Sequence, residues 1–265
     1  MKPAALLALY DETMRKNAHP AGMNGERMST LSRYTTGTAS QRYIMWHDFS
    51  AADAAAAVDE QLRAVQGRAR VLMWKLYAHD PAREALREAL LARRFAENDH
   101  STLMMVSVAS LVASLSIAET RDSKSLEVRR LTTAKQLDAY QNIWDDVWPD
   151  EPNSRYVNDY RTLVERNEPG VLFYAGFASI DSPVTSGYMF HHTGDEIALL
   201  CGGTTKAVWR RQHAYTRMLA VRALAALERG AKYLAVEASP ESKLILERLG
   251  FTQLSTLAFY EYNVD

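Results

Sequence analysis

The stretch GGTTKAVWRRQHAY, residues 202–215, decides the fold of this chain. It lies between an apolar strand and a long amphipathic helix, predicted over residues 210–229 and closed by Gly230. A strand, a loop and a helix in this order aim several free backbone N–H groups and the positive end of the helix dipole at one point. Arg210 and Arg211 add positive charge there, so the pattern favours a bound anion such as a phosphate. Basic residues in a first helical turn also occur on ordinary solvated surfaces, and the stretch alone does not separate the two interpretations.

Length and composition exclude several classes of protein. The chain has 265 residues, of which 47% are apolar and 24% charged, and its formal charge is -1. It can therefore bury a large core, and it lacks the basic character of a polyanion-binding protein. One cysteine, Cys201, excludes an intramolecular disulfide framework and a multi-cysteine metal cluster. No apolar run approaches the roughly 18 residues of a membrane span, so we expect a cytoplasmic protein with no metal and no nucleic-acid or membrane partner.

Alternating strands and helices predict an α/β (α+β) fold. In the first part of the chain, strands are predicted at 28–35, 40–47, 70–77 and 102–109, with helices over 50–65, N-capped by Ser50, and 81–93. The polar stretch 119–125 is interpreted as a linker. After it, strands are predicted at 126–131, 170–178, 185–191, 196–203, 232–238 and 251–263, with one long helix or two short ones over 133–166 and a short helix from Pro240.

Two stretches of the sequence resemble each other. Residues 71–95 and 233–251 both pass from a strand through a small polar turn with Pro into a Leu-rich helix and a Phe. Ala78 and Phe95 are 17 positions apart in the first stretch, and Ala238 and Phe251 are 13 positions apart in the second. This difference predicts about one more helical turn in the first stretch. Any strand-turn-helix unit has this appearance, but we prefer the interpretation that the chain contains two related halves, the first of which has lost part of its fold.

The two motifs together resemble the GNAT N-acetyltransferase superfamily. Residues 202–215 and 231–251 carry the resemblance in the second half. In the first half it is closest to bacterial members with a degenerate N-terminal half, whose recurring strand end is matched by Trp74, Lys75, Tyr77, His79, Asp80 and Pro81. The resemblance implies a mixed, mostly antiparallel sheet flanked by helices, with a degenerate GNAT-like domain at 1–118 in tandem with a GNAT N-acetyltransferase domain at 126–265. It also implies transfer of an acetyl group from acetyl-CoA, as co-substrate, to an amine.

The resemblance also implies positions for the coenzyme. In that superfamily a Gln/Arg-x-x-Gly-x-Gly/Ala pattern holds the CoA diphosphate through backbone amides. The matching residues here are Arg210, Arg211, Gln212, His213, Ala214 and Tyr215. Main-chain groups of the preceding strand bind the pantetheine arm and the thioester carbonyl, and the next strand splays away from it. This implies Gly203, Thr204 and Thr205 on one side, Val236, Glu237 and Ala238 on the other, and Ser239 at the place of an Asn that contacts the arm.

Three positions depart from the superfamily pattern. His213 stands where the pattern has Gly, so its side chain would crowd the diphosphate or donate a hydrogen bond to it. Tyr215 replaces a small residue. The tyrosine that often protonates the leaving thiolate falls at Leu246, which cannot donate a proton. Either another residue does so, the thiolate leaves through solvent, or the chemistry is lost.

The candidate catalytic residues each have a structural alternative. Glu237 is our candidate for the general base or the group that orients the amine, because its small and apolar neighbours predict a raised pKa; the alternative is an ion pair with a nearby Arg. Tyr260 is a candidate proton donor, against ordinary core packing. His79 and Asp80 are expected to cap the helix that starts at Pro81, and the first half is expected to bind no CoA.

Other polar residues are expected to have no chemical role. His191 and His192 are expected on the surface, and Cys201 is expected as a small buried hydrophobe. The acceptor would be a small-molecule or peptide amine, and a homodimer is possible. The alternatives to an N-acetyltransferase are a catalytically inactive GNAT-like module that binds acyl-CoA or a protein partner, and a purely structural pseudodomain.

Overall fold

A computed structural model describes residues 1–37, 41–119, 126–149 and 154–264. The chain divides into two compact units. The first consists of Met1–Met104 together with Glu237–Asp265, and the second is Met105–Val236.

Eight helices and eleven strands are found in the described residues. The helices are α1 (Pro3–Tyr10), α2 (Ala54–Val65), α3 (Arg83–Ala92), α4 (Val108–Glu119), α5 (Leu137–Val147), α6 (Ser154–Glu165), α7 (Ala214–Glu228) and α8 (Pro240–Arg248). The strands are β1 (Met23–Arg27), β2 (Leu31–Thr36), β3 (Gln41–His47), β4 (Val71–Tyr77), β5 (Ala96–Ser107), β6 (Glu127–Leu131), β7 (Val171–Ser179), β8 (Ser182–Phe190), β9 (Ile197–Thr205), β10 (Tyr233–Ala238) and β11 (Thr252–Asn263). A π-helical turn, Asp11–Lys16, follows α1, and short 3-10 turns span Ala134–Gln136 and Ala207–Trp209.

The first unit is a sheet whose strand order is β1-β2-β3-β4-β11-β5. β3 and β4 run parallel, whereas β1 with β2, β2 with β3 and β4 with β11 are antiparallel. Helices α2 and α3 bury apolar residues at helical spacing, such as Leu86, Ala89 and Leu90. These side chains join Trp74, Ile44 and Tyr260 in one apolar core.

The second unit is a sheet whose strand order is β10-β9-β8-β7-β6. β9 and β10 are parallel, and the other neighbours are antiparallel. A Cβ added at Gly202 would meet Tyr140 of α5, and one added at Gly203 would meet Tyr215 of α7. Helix α5 therefore packs beside Gly202 and helix α7 beside Gly203. The predicted fold class, a mixed and mostly antiparallel sheet flanked by helices, is confirmed.

Most predicted elements are present within a few residues of their predicted ends. The segment 133–166 is two helices, α5 and α6, and the helix before Gly230 ends as predicted, with Gly230 at φ +88°. The predicted N-cap of α2 is wrong, because the N-cap position is Asp53 and the Ser50 hydroxyl donates to the Asp53 carboxylate instead. Residue 119 ends α4, and the rest of the predicted linker lies outside the described residues.

The two related stretches adopt the same strand-turn-helix order, as β4 with α3 and as β10 with α8. The extra residues of the first stretch lie in its turn, which runs from 78 to 82, whereas residue 239 alone connects β10 to α8. The helices have 10 and 9 residues, so the predicted additional helical turn is wrong.

The compact units and the predicted domains, 1–118 and 126–265, divide the chain at different places. The first unit contains the C-terminal strand β11, because the second part of β11 pairs with the whole of β4, from Leu257 opposite Tyr77 to Asn263 opposite Val71. None of the described helices has the length and apolar character that a membrane span needs.

Candidate functional site

An opening lies beside β9 in the second unit. Pairing between β9 and β10 covers four residue pairs and ends at Leu200 opposite Val236. β9 continues to Thr205 and on its other side stays paired with β8, where Thr205 lies opposite Thr185. Main-chain groups of residues 201–205 that face away from β8 therefore lie beyond the paired part of β10. The two strands part at the place where the sequence predicted a coenzyme.

β9 also carries a bulge. Its register with β8 shifts between Ser186 and Tyr188, so that Gly187 faces both Gly202 and Gly203. We call Gly202, Gly203 and the facing Gly187 the β9 bulge. Gly202 has φ +58°, a conformation that glycine adopts without steric cost.

Contacts within the loop fix its course between β9 and α7. Trp209 packs against a small apolar cluster that includes Val184 and Ala214. The Gln212 side chain donates to the Val208 main-chain oxygen at 2.6 Å. Arg210 Nε donates to the Thr205 oxygen at 3.2 Å. The loop is therefore held in place by its own residues.

The N-terminus of α7 has the features of an anion site. His213 is the N-cap residue with φ 62°, and among the described residues no side chain caps this helix. The first N–H groups of a helix have no partner within it, so those of Ala214, Tyr215 and Thr216 point out of the helix end. Arg210 and Arg211 are exposed beside them. Unpartnered backbone amides and the positive end of the helix dipole thus follow directly on two exposed arginines in the chain.

Nine of the ten residues predicted to bind the coenzyme lie within one short segment of the chain, residues 203–215. They occupy the end of β9, the loop and the first turn of α7, and the Tyr215 ring approaches Gly203. Ser239 is in the first unit, where its hydroxyl accepts the Ser242 main-chain N–H at 3.3 Å and caps α8. Their roles toward a coenzyme stay predictions.

Glu237 lies in the first unit and is engaged with other side chains. Its Oε1 accepts the Tyr77 hydroxyl at 2.6 Å and the Tyr10 hydroxyl at 3.0 Å, and Lys75 Nζ lies 2.8 and 2.7 Å from its two oxygens. Burial by itself raises the pKa of this carboxyl, but Lys75 and the two hydroxyls together lower it below the ordinary value. The predicted raised pKa is wrong, because the apolar neighbours along the strand do not include these four donor contacts. The partner is also a lysine rather than the arginine considered above.

Tyr260 is part of the apolar core of the first unit. Burial, followed by a hydrogen bond to Glu97, raises the pKa of its hydroxyl to about 12. Leu246, at the position of the usual proton-donating tyrosine, is fully buried. Neither side chain reaches solvent, and the role of Tyr260 as a proton donor stays a prediction.

His79 and Asp80 do not cap α3, so that expectation is wrong. The helix begins after Ala82 without a side-chain cap. Asp80 instead accepts the Tyr77 main-chain N–H through Oδ2 at 2.7 Å and pairs through Oδ1 with Arg15. Arg15 was not predicted as a partner of Asp80, because it lies in the π-helical turn and far from this strand in sequence.

His79 joins a second set of partners. Its Nδ1 is 2.7 Å from the Ser255 hydroxyl, and its Nε2 is 2.9 Å from Asp11 Oδ2. Burial raises the pKa of Asp11, but His79 and Arg15 outweigh it, so that the pKa is lowered. These side chains connect the π-helical turn to the ends of β4 and β11.

The other polar residues differ in part from expectation. His191 is buried, not on the surface: its Nε2 lies 3.0 Å from the Asp195 main-chain oxygen, and Arg229 donates to its Nδ1 at 3.3 Å. Burial lowers the pKa of this imidazole. Cys201 is half-buried. Within the described ranges, no group of three or more His, Cys, Asp or Glu side chains is arranged to hold a metal ion.

Comparison with known proteins gives the fold. No protein-family model matches the chain, and no curated protein matches its sequence. A functionally unknown conserved protein from Staphylococcus epidermidis ATCC 12228 is 12% identical with a TM-score of 0.71, over 96% of this chain and 98% of that chain. A GCN5-related N-acetyltransferase from Kribbella flavida is 14% identical with a TM-score of 0.61, over 98% and 93%.

A two-domain relative matches along most of the chain as well. A tandem GNAT protein from the clavulanic acid biosynthesis pathway is 10% identical with a TM-score of 0.56, over 93% of this chain and 85% of that chain. Identities this low concern the fold alone. The resemblance noted in the sequence is confirmed at that level: the chain has the fold of the GCN5-related N-acetyltransferase superfamily.

Proposed function

We propose that this chain is an acyl-CoA-dependent N-acyltransferase that transfers an acetyl group from acetyl-CoA to an amine by direct attack. The opening beside β9 carries the proposal: pairing with β10 ends at Leu200, while β9 runs on to Thr205 and into an amide-lined, positively charged loop. The fold shared with N-acetyltransferases supports the same reaction class. The acceptor would be a small-molecule or peptide amine.

The diphosphate of acetyl-CoA would rest on the loop and the first turn of α7. This helix has 15 residues, and its first N–H groups have no partner within the helix. Its positive dipole end favours negative charge there. Arg210 and Arg211 add two cations. Phosphates bind at helix N-termini of this kind in many proteins.

The histidine at the glycine position of the pattern is compatible with this site. His213 has φ 62°, which is the left-handed conformation that a glycine would adopt freely, and its side chain is exposed. Such a conformation costs a non-glycine residue about 1–2 kcal/mol. The backbone thus keeps the shape that presents its amides, although the residue differs from the pattern.

The thioester arm would lie along the free edge of β9. The main-chain groups of Gly203 face this edge, whereas the Cys201 and Thr205 oxygens already accept arginine side chains. Hydrogen-bond donors held rigidly at the carbonyl stabilise charge that develops during attack by the amine. The arm and the diphosphate would then be bound by two consecutive parts of the same chain segment.

Proton transfer in this proposal does not use Glu237. The Glu237 carboxylate accepts three donors and has a lowered pKa, so it is a weak base. We therefore propose that the amine reaches the site in its neutral form and attacks the thioester carbonyl. The C–S bond then breaks, the CoA thiolate leaves to solvent, and water takes the proton that the nitrogen loses. Binding and orientation, rather than general-base catalysis, would supply most of the rate acceleration.

A second candidate is a module that binds acyl-CoA without turning it over. Two observations favour it: Leu246 is buried and cannot donate a proton, and Glu237 is occupied by Lys75 and two tyrosines. In this case the α7 site would act as a sensor for the coenzyme.

Calorimetry with acetyl-CoA tests what both candidates share. We expect saturable binding, weakened about tenfold or more in an Arg210→Glu, Arg211→Glu double variant, because each reversal replaces attraction to the diphosphate by repulsion. Arg166→Glu, an exposed arginine away from the loop, is the matched control and should bind as the wild type does. Absence of binding at millimolar acetyl-CoA would refute both candidates.

Thiol release separates the two candidates. Incubation of the chain with acetyl-CoA and a panel of primary amines should release CoA thiol and form the acetylated amine if the chain is a transferase. Binding without thiol release for every amine tested would support the non-catalytic module.

A further inference from the structure

Arg222, on α7, lies behind the β9 bulge. Its Nη1 donates to the main-chain oxygens of Tyr188 and Cys201, both at 3.2 Å, and its Nε to that of Met218 at 3.4 Å. Tyr188 and Cys201 are cross-strand partners at one side of the bulge. One guanidinium therefore connects β8, β9 and α7 where β9 leaves regular pairing.

This guanidinium is buried without a counter-ion. Arg222 is 1% exposed, and no carboxylate of the described residues forms an ion pair with it. Taking a cation out of water is costly unless hydrogen bonds compensate it. Here main-chain oxygens do so, and an apolar side chain of similar size would avoid the cost. The desolvation cost of burying this guanidinium has a structural return if its hydrogen bonds maintain the shape of β9.

Glycines make room for the guanidinium. A Cβ at Gly187 would lie 2.8 Å from Arg222 Nη1, and a Cβ at Gly203 would lie 3.7 Å from its Nη2. The first distance is too short for a real contact, so a side chain at 187 would displace the guanidinium. The glycines of the β9 bulge thus leave the space that the Arg222 guanidinium occupies.

We infer that Arg222 is a positioning residue for the acyl-CoA site: it holds the β9 bulge and so aims the main-chain groups of Gly203 at the thioester arm. This inference rests on the proposed function. Arg222 lies on the α7 side of the sheet and is buried, so it acts through the backbone of β9 rather than by touching the substrate.

The test compares two ways of removing the hydrogen bonds. Arg222→Lys keeps the charge but replaces the planar fork by one ammonium group, and Gly187→Ala keeps Arg222 but displaces it. Gly25→Ala is the matched control, because its new Cβ would lie 2.8 Å from the Tyr34 ring, the same distance as at Gly187, but on β1 of the first unit. All three are expected to lower the melting temperature.

Two readouts distinguish positioning from a purely structural role. In the ligand-free chain, amide hydrogen exchange at residues 201–204 should speed up about tenfold in both test variants, relative to β7, and stay unchanged in the control. The Kd for acetyl-CoA should rise about tenfold in the test variants alone. Wild-type exchange at 201–204, or a wild-type Kd despite a lower melting temperature, would overturn the inference. Failure of the wild type itself to bind acetyl-CoA would instead refute the proposed function, and with it the ligand that Arg222 is inferred to serve.

Discussion

Arg15 and Asp80 form a buried ion pair in the first unit, with Arg15 Nη2 2.7 Å from Asp80 Oδ1 and the two side chains 1% and 2% exposed. Arg15 also donates through Nε to the Met45 main-chain oxygen at 3.0 Å. Met45 belongs to β3 and Asp80 follows β4, so the guanidinium bridges the ends of this parallel strand pair. Pairing of β3 with β4 ends at Ile44 opposite Trp74, as pairing of β9 with β10 in the second unit ends at Leu200 opposite Val236. In the first unit the Arg15 side chain bridges the two strands where they part, which gives a physical reason to expect no coenzyme there.

Replacing Arg15 by methionine should strongly destabilise the first unit. Asp80 would then be a buried carboxylate without its cation, and removing one member of a buried pair costs about 3–5 kcal/mol. The measurement is the free energy of unfolding from urea denaturation. Arg93→Met is the control, because Arg93 pairs with Asp59 on the surface and such pairs contribute at most about 1 kcal/mol. Equal losses in the two variants would contradict the importance of the buried pair.

Glu237→Gln should change how stability depends on pH. The pKa of Glu237 is lowered in the folded chain from its ordinary value of 4.5, so its ionised form adds stability above that value, and this stability is lost as the pH falls through the folded pKa. The variant should lose about 2–3 kcal/mol at neutral pH, because Lys75 stays buried without a charge partner.

The variant should then lose less than the wild type on acidification. Urea denaturation at neutral pH and near pH 3 measures both effects. Glu165→Gln, at an exposed position, should leave the acid dependence unchanged. A Glu237 variant with the full wild-type acid dependence would show that another carboxyl is responsible for it.

Tyr260→Phe tests the predicted proton donor. Its hydroxyl bonds to Glu97 in the apolar core, so the substitution should cost about 1 kcal/mol of stability and leave the rate of acetyl transfer unchanged. Tyr262→Phe, on the same strand against Phe95, is the control. A rate that falls with the Tyr260 substitution but not with the control would restore Tyr260 as a catalytic residue.

Two substitutions of His213 distinguish the effect of its left-handed backbone conformation from the effect of its imidazole. His213→Gly removes the imidazole and the left-handed strain, whereas His213→Ala removes only the imidazole. We expect the glycine variant to be about 1 kcal/mol more stable than the alanine variant, and both to bind acetyl-CoA within about threefold of the wild type. A tenfold loss of affinity in both, measured by calorimetry, would show that the imidazole itself binds the diphosphate.

Local patterns were sufficient for most of the fold. Helices such as α2 and α3 show their apolar stripes directly, and Gly230 ends α7 where the sequence predicts it. The N-terminal helix α1 was missed because its sequence, PAALLALY, is apolar on every side and has no stripe. The helix α4 was missed because it continues the apolar run of β5 without a turn residue between them.

In the candidate site, too, features that depend on consecutive residues could be predicted, and features that depend on tertiary packing could not. The loop before α7 has consecutive residues, so a motif in the sequence is enough to propose it as a coenzyme site. The surroundings of Glu237 were not predicted, because Lys75 is 162 positions away and only tertiary packing brings them together. The contacts of Arg222 were not predicted either, and the one available signal was indirect: glycines at 187 and 203 leave space for a large side chain.

The pairing of β4 with β11 has a consequence for how the chain is made. The unit that begins with the first residues needs a strand that emerges from the ribosome only after all of residues 105–236. Until then β4 has an unpaired edge, which is prone to join other chains. The second unit contains only residues 105–236 and can fold before β11 is synthesised, whereas the first unit cannot be completed until then. Removal of the last dozen residues should therefore destabilise the first unit more than the second.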